Sequence, residues 1–411
     1  MTKIFLLFAP QINNFMQTVD DFNFKDEKVL IRVDFNVPLN ENLEITDNSR
    51  MTAAIPTIMK VIGDGGSVVL MSHLGRPKNG PEPKFSLISL VKELEKLTSV
   101  KVHFASDCIS EEAIGMADSL NNGEILLLEN LRFYKEEKEG AIGFANELAE
   151  LGSFYINDAF GTAHRAHAST AVIAANFKGK KCFGYIMARE IANAEKVIGD
   201  PQKPLTAIVG GAKVSDKTLI VKNLLKVADN ILIGGGMAYT FYKAQGGVIG
   251  NSLCEDDRLE LCKEILEEAK VKGVNIYLPE DSISASAFSN DADQKVEQSN
   301  AISDGYMGLD IGPKAQEVYK NVLLGSKTIL WNGPMGVFEM SSYESGTKEI
   351  AMAVAEATGK GAFSLIGGGD SAAAINKFNL GDQVSYISTG GGALLEYFEG
   401  KELPGIKAIN D

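Results

Sequence analysis

The sequence predicts an α/β protein of two doubly wound domains, each built on a parallel sheet. Three observations carry that expectation. Short apolar, β-branched runs recur along the chain and alternate with helix-like stretches. The runs are continuously apolar, as suits strands buried on both faces of a parallel sheet. At 411 residues the chain is too long for one core. The expected architecture is two Rossmann-like halves facing each other across a cleft.

The first set of strand-like runs is Val29–Val33, Ser67–Met71, Ile125–Leu128 and Phe154–Ile156. The second is Leu205–Val209, Ile231–Ile233, Val274–Leu278, Thr328–Trp331 and Phe363–Ile366. Helix patterns fall at Ser86–Leu97, Gly143–Leu151 and Asp257–Lys272. Arg50 opens a further helix after the capping sequence Thr46-Asp47-Asn48-Ser49. The run Ile186–Val197 ends in Gly199-Asp200-Pro201 and Lys203-Pro204, so the inter-domain connection belongs at 186–204. That leaves a first domain at 16–185 and a second from 205 to 392. The polar stretch Asp281–Asp304 reads as surface structure with little core. Residues 1–15 make a poor signal peptide, with a short apolar run and no small-residue cleavage site, and read as an extension ahead of Met16.

The net charge of −14 argues against nucleic acid and anionic membrane as partners. No apolar run approaches the roughly 18 residues of a membrane span. The four cysteines have no metal-type spacing and read as reduced thiols of a cytoplasmic protein. Any anionic ligand must therefore be met by local positive charge.

That charge is unevenly placed. Six of seven arginines and all four histidines lie in the first 189 residues. Open α/β sheets bind ligands at the carboxyl ends of their strands. At those ends stand Asp34-Phe35-Asn36, then Ser72-His73-Leu74-Gly75-Arg76, then Asn130-Leu131-Arg132, then Asn157-Asp158 leading to His164-Arg165-Ala166-His167. Arg50, Arg76, Arg132 and Arg165 could converge on one rim, where arginine forks suit phosphate and carboxylate. Taken singly, each arginine reads more readily as a surface ion pair, whereas four at successive strand ends read as a polyanion site. The histidines lack companions at metal-ligand spacing.

The second half uses glycine and lysine instead. Leu205–Val209 runs into Gly210-Gly211-Ala212-Lys213-Val214-Ser215-Asp216-Lys217. Glycines let backbone N–H groups approach a phosphate at a helix start. Lys213 and Lys217, read as four apart on one helix face, repel unless an anion sits between them. Further glycine turns follow strands at Gly234-Gly235-Gly236, Asn332-Gly333-Pro334-Met335-Gly336 and Gly367-Gly368-Gly369-Asp370-Ser371. Asp370 reads either as a helix N-cap or as a carboxylate for a Mg²⁺ held by nucleotide phosphates. Glu339 could meet a ribose hydroxyl. No GxxxxGK[ST] loop, protein-kinase set or Ser-His-Asp arrangement is present.

These strings resemble the phosphoglycerate kinases. The matching set adds Arg32-Val33-Asp34-Phe35-Asn36-Val37-Pro38, Trp331-Asn332-Gly333-Pro334 and Ser388-Thr389-Gly390-Gly391-Gly392, in the family's order over about residues 18–406. The resemblance implies a monomeric, hinge-bending enzyme of glycolysis. Its first domain would hold 3-phosphoglycerate or 1,3-bisphosphoglycerate through Asp34, Phe35, Asn36, Arg50, His73, Leu74, Gly75, Arg76, Arg132 and Arg165. Its second would hold ATP or ADP with Mg²⁺ through Gly211, Ala212, Lys213, Lys217, Gly235, Gly308, Asn332, Glu339 and the turn Gly367, Gly368, Gly369, Asp370 and Ser371, with Asp370 towards the metal. Arg50, Lys213, Lys217, Gly369 and Gly392 would stabilise the moving phosphoryl group. The segment 393–411 would return to the first domain. Arg32 and Arg189 stay outside the ligand set. Arg189 stands where lysine is common, and Tyr386 replaces a histidine often seen before the Ser-Thr-Gly-Gly-Gly run.

Two other readings remain at this stage. An NAD-dependent dehydrogenase would share the strand-helix pattern, but no GxGxxG opens a βαβ unit with an acid about 20 residues on. A non-catalytic anion-binding protein could keep the fold.

Overall fold

A computed structural model describes residues 16–78 and 80–411. The extension at 1–15 lies outside the described residues. The chain forms two compact units, one running to Arg189 and taking in Leu403–Asp411, the other Glu190–Glu402.

The first unit holds strands β1 (Lys28–Val33), β2 (Ser67–Met71), β3 (Val102–Phe104), β4 (Ile125–Leu127), β5 (Phe154–Asp158) and β6 (Lys181–Phe183). They pair in the order β3-β4-β2-β1-β5-β6, all parallel. The apolar runs are buried along their length, from Val29 to Val33 in β1 and throughout β2, β4 and β5. The helices are α1 (Ser49–Gly63), α2 (Val91–Thr98), α3 (Glu111–Asp118), α4 (Lys135–Glu139) and α5 (Ile142–Ala149). Met51, Ala54, Ile58 and Val61 of α1, with Leu90 and Leu94, pack against Val29, Ile31, Val68, Leu70, Ile125 and Leu127. Each fully buried Val, Leu or Ile contributes roughly 1.5–3 kcal/mol of transfer free energy. That repeated gain fixes which face of each strand meets the helices. At the start of α1, Asp47 accepts from Ser49 N at 2.8 Å. The edge strands β3 and β6 are only three residues long, which is why no apolar run announces them.

Helix α6 (Tyr185–Ile198) runs through the division between the units. The second unit continues with β7 (Leu205–Val209), α7 (Thr218–Leu224), β8 (Asn230–Ile233), α8 (Met237–Ala244), β9 (Val248–Ile249), α9 (Leu259–Lys272) and β10 (Asn275–Tyr277). Then come β11 (Asp281–Ala285), β12 (Gln294–Gln298), β13 (Ala301–Ile302), β14 (Met307–Ile311), α10 (Pro313–Leu324) and β15 (Thr328–Asn332). The rest is α11 (Ser345–Gly359), β16 (Phe363–Gly367), α12 (Gly369–Lys377), β17 (Tyr386–Ile387) and α13 (Gly392–Phe398). The main sheet is parallel in the order β10-β8-β7-β15-β16-β17. Trp331, the one tryptophan, is fully buried in its core and donates its indole N–H to Gly333 O at 2.8 Å.

Two expectations are corrected. Asp281–Asp304 is not bare surface. It supplies β11 and β12 to an antiparallel sheet with β14. Asp281, Ser282, Ser284 and Ala285 are buried, and the serine hydroxyls find partners in Ser299 and Glu297. Polar composition hid a strand whose buried polar groups are satisfied within the sheet. Residues 393–402 belong to the second unit rather than to the returning segment. Asn223 Nδ2 of α7 donates to Phe398 O at 2.6 Å, and the Tyr397 hydroxyl donates to Glu195. Only the chain from Leu403 lies in the first unit, where helix α14 (Pro404–Asn410) receives Lys181 Nζ at Ala408 O, 2.7 Å away.

Candidate functional sites

In the first unit the strand order reverses beside β1, with β2 on one side and β5 on the other. The loops leaving β2, β4 and β5 carry Arg76, Arg132 and Arg165, and Arg50 lies in the first turn of α1. Asp34 follows β1 and pairs with Arg50 Nη1 of α1 at 2.5 Å. Asn36 Oδ1 accepts from Gly75 N at 2.8 Å, and Phe35 N donates to Ser72 Oγ at 2.8 Å, so the β1 and β2 loops are stitched together. Gly75 has φ +63° and lies so close to Phe85 that a Cβ would stand 2.3 Å from the ring. The β4 loop joins them, with Asn130 Nδ2 donating to Leu74 O at 2.7 Å and Arg132 Nη1 to Gly75 O at 2.8 Å. Phe35 and Leu74 turn their side chains into the core, leaving only main chain for a ligand.

The field in this basin is strongly positive. His73 is held well below its ordinary pKa, first by burial and then by Arg32, Arg132 and Arg50. Burial also pushes His167 down to about 4, helped by Arg32, Arg132 and Arg165. Arg132 itself is lowered by burial and by Arg32, with a smaller push from Arg76. Arg76 and Arg132 are therefore close enough to act on one another, and Arg50, Arg132 and Arg165 each act on a histidine of the basin. Among the described residues, Arg76, Arg132 and Arg165 have no carboxylate within 4.0 Å. Such a cluster is costly without an anion to neutralise it.

Three residues beneath the basin were missed or set aside. Arg32 is almost wholly buried, and its Nε donates to Ser169 Oγ at 2.9 Å. Ser169 Oγ donates in turn to Glu137 Oε1 at 2.6 Å. An arginine inside the apolar run Val29–Val33 was the available signal, because a charge buried in a strand requires partners.

In the second unit the reversal falls between β7 and β15, and Gly210 N donates to Asn332 O there at 2.9 Å. Gly333 has φ +96°, and a Cβ on it would sit 2.2 Å from Gly210 O. Gly235 N donates to Met335 O at 2.9 Å, and Met237 N to Gly211 O at 3.1 Å. Asn332 Nδ2 donates to Gly367 O at 2.8 Å, while Ser371 Oγ accepts from Gly333 N at 2.7 Å. Four glycine turns thus form one cradle at the carboxyl end of the sheet. Gly308 N donates to Ser252 Oγ at 2.9 Å in β14, and Glu339 is exposed beyond the Asn332 turn. Gly392 opens α13, whose Leu394 packs against Gly367.

The lysines differ from expectation. α7 begins only at Thr218, so Lys213 lies in irregular chain ahead of the turn at 215–217 and does not share a helix face with Lys217. Lys217 stands at the N-cap position, half-buried, and donates to Asn332 Oδ1 at 2.5 Å. Burial lowers its pKa, while Asp216, Asp370 and Glu399 oppose the shift. Lys213 and Ala212 are exposed. Asp370 is not an N-cap, because Gly368 holds that position. The carboxylate is exposed in the first turn of α12. Among the described residues no three His, Cys, Asp or Glu side chains gather as a metal cluster. A single carboxylate beside a phosphate cradle instead suits a Mg²⁺ carried on nucleotide oxygens. Sequence reading also missed Glu190, a fully buried carboxylate that accepts from Ser388 Oγ at 2.7 Å and Thr389 N at 2.8 Å.

Comparison with known proteins gives concordant results. A family model described as Phosphoglycerate kinase matches residues 19–401. A curated phosphoglycerate kinase of Porphyromonas gingivalis is 50% identical, covering 95% of this chain and 99% of its own length. That of Chlorobaculum tepidum is also 50% identical, covering 96% and 99%. Among solved structures, the phosphoglycerate kinase from Coxiella burnetii aligns with TM-score 0.89 at 41% identity, over 96% of this chain and 98% of that one. The enzyme from Pyrococcus horikoshii aligns with TM-score 0.79 at 31% identity, with the same coverage.

Proposed function

The chain belongs to the phosphoglycerate kinase family, and from that premise we propose how its two units divide the work. Its reaction is reversible phosphoryl transfer between 1,3-bisphosphoglycerate and ADP, giving 3-phosphoglycerate and ATP. The arginine basin of the first unit takes the phosphoglycerate. The glycine cradle of the second takes the nucleotide. The observation that carries this division is the contrast in charge. The basin gathers arginines that, after burial itself, lower the pKa of both His73 and His167. The cradle offers backbone N–H groups, two lysines and one exposed carboxylate.

In the direction of ATP consumption the nucleophile is a carboxylate, already ionised at neutral pH. Its oxygen attacks the γ-phosphorus, and the bond to the β,γ-bridging oxygen breaks as ADP leaves. No proton must be removed, so no general base is needed. Catalysis then rests on in-line positioning and on neutralising the transferred oxygens. Arg50, held by Asp34, serves from the acceptor side. Lys213, Lys217 and the main chain at Gly369 and Gly392 serve from the nucleotide side. Mg²⁺, when bound with the nucleotide, would neutralise phosphate charge beside Asp370. Reaction requires the two ligands to meet, so we propose a hinge motion that closes them together and excludes water.

We further propose a cytoplasmic monomer. The described cysteines are free thiols, as a reducing compartment allows, and no described helix is long and apolar enough to cross a membrane. The direct test is an assay coupling ATP and 3-phosphoglycerate to 1,3-bisphosphoglycerate formation, with Mg²⁺ present and chelated. Turnover that needs both substrates and the metal supports the scheme. Turnover indifferent to Mg²⁺ would overturn the metal's part.

A further inference from the structure

His73 lies at the head of a buried chain of hydrogen bonds whose directions are all determined. A guanidinium has only donors. Arg32 Nη2 stands 3.2 Å from His73 Nδ1, so Nδ1 must be the acceptor. Arg32 Nε donates to Ser169 Oγ at 2.9 Å. That hydroxyl has one proton and gives it to Glu137 Oε1 at 2.6 Å. Glu137 Oε2 accepts from Ser169 N at 3.0 Å, so both carboxylate oxygens are engaged. Asp34 Oδ1, the other group that could claim a proton on Nδ1, is 3.9 Å away. Arg32 and Glu137 are each about 1% exposed, so water does not substitute for any link.

We propose that Glu137, Ser169 and Arg32 are positioning residues that fix His73 as the neutral tautomer with its proton on Nε2. The ring then presents one N–H donor toward the basin and adds no charge. This matters because Arg50 and Arg132 already act on the ring. A protonated histidine would add to that repulsion, and the opposite tautomer would lose the bond from Arg32. Glu137 offsets the buried Arg32 charge through the serine, which keeps the guanidinium committed inward rather than free to meet a ligand. The inference rests on the phosphoglycerate assignment only for the identity of the anion that Nε2 meets.

The test uses the full chain with ¹⁵N-labelled histidine. Four histidines make assignment by single substitution practical. In the ligand-free protein at neutral pH, His73 should show a proton-bearing Nε2 and a bare Nδ1. Ser169→Ala and Glu137→Gln should each mix the tautomers. Each should also raise KM for 3-phosphoglycerate roughly tenfold, as for one weakened hydrogen bond to a charged group. KM for ATP should hold. Ser169→Ala guards against the case in which Glu137→Gln does not fold. A proton on Nδ1 in the wild-type protein overturns the proposal. So do variants in which both ring and KM stay as in wild type, or in which KM for ATP rises in step. Should the spectrum come out as expected while His73→Ala leaves the 3-phosphoglycerate KM unchanged, the substrate assignment fails and the tautomer stands.

Discussion

Lys217 donates to the side-chain oxygen of Asn332 at 2.5 Å, and the amide nitrogen of Asn332 donates onward to Gly367 O at 2.8 Å. One side chain therefore ties the lysine after β7 to the turns after β15 and β16. Asn332→Ala should release all three at once. We expect KM for ATP to rise about tenfold or more, since a charged hydrogen bond and a buried amide contact are both lost. Steady-state kinetics with varied ATP reads this directly.

Lys213 has no carboxylate within 4.0 Å among the described residues and lies in exposed irregular chain. Its removal should cost the fold little, within about 0.5 kcal/mol. A role on the transferring phosphoryl group makes the opposite demand on rate. Lys213→Ala should lower kcat by roughly 10²–10³-fold, as for loss of one oxyanion donor. A kcat near wild type at unchanged melting temperature removes the lysine from the mechanism.

Two glycines of the cradle should separate fold from chemistry. Gly333→Ala puts a methyl 2.2 Å from Gly210 O at a φ of +96°. We expect a loss of at least 1–3 kcal/mol from the strained backbone alone, read as a lowered urea midpoint. Gly369 has open space around it and no positive φ. Gly369→Ala should leave the midpoint in place while lowering kcat.

The pH profile of stability should contain two opposed contributions. His167 drops from 6.5 to about 4 on folding, because burial and the nearby arginines disfavour its cation. Its stabilising contribution is present above pH 6.5 and is lost as pH falls through about 4. Asp310 rises from 3.8 to about 7, because burial outweighs its bonds from Gly346 N and Ile311 N. Its contribution is present below about pH 4 and is lost as pH rises through about 7. Thermal unfolding of His167→Asn and Asp310→Asn across pH 4–8 should show each slope removed by its own variant, and not by the other.

The strands on either side of each reversal were legible because they are fully buried apolar runs, and a parallel sheet demands such runs. The short edge strands were not, since β3, β6 and β17 have two or three residues each. The arginines and glycine turns were legible as types at strand ends. What the sequence could not give was commitment. Nothing in Ser371 announces that its hydroxyl is spent on Gly333 N, or that Asp370 is free of capping. Lys213 and Lys217 looked like one helix face because spacing alone does not say where a helix begins. Arg32 falls outside the ligand set expected from the sequence, although its burial makes it the root of the His73 chain. Long-range partners such as Glu137 and Ser169, 32 positions apart, leave no local pattern to read.

The central claim is that the arginine basin serves the phosphoglycerate and the glycine cradle serves the nucleotide. The most direct measurement is the pair of Michaelis constants for Arg132→Ala beside those for Asn332→Ala, in the direction of ATP consumption. We expect Arg132→Ala to raise KM for 3-phosphoglycerate by about 10–100-fold and to leave that for ATP within twofold, with the reverse pattern for Asn332→Ala. An Arg132→Ala enzyme whose KM changes for ATP and not for 3-phosphoglycerate contradicts the division outright.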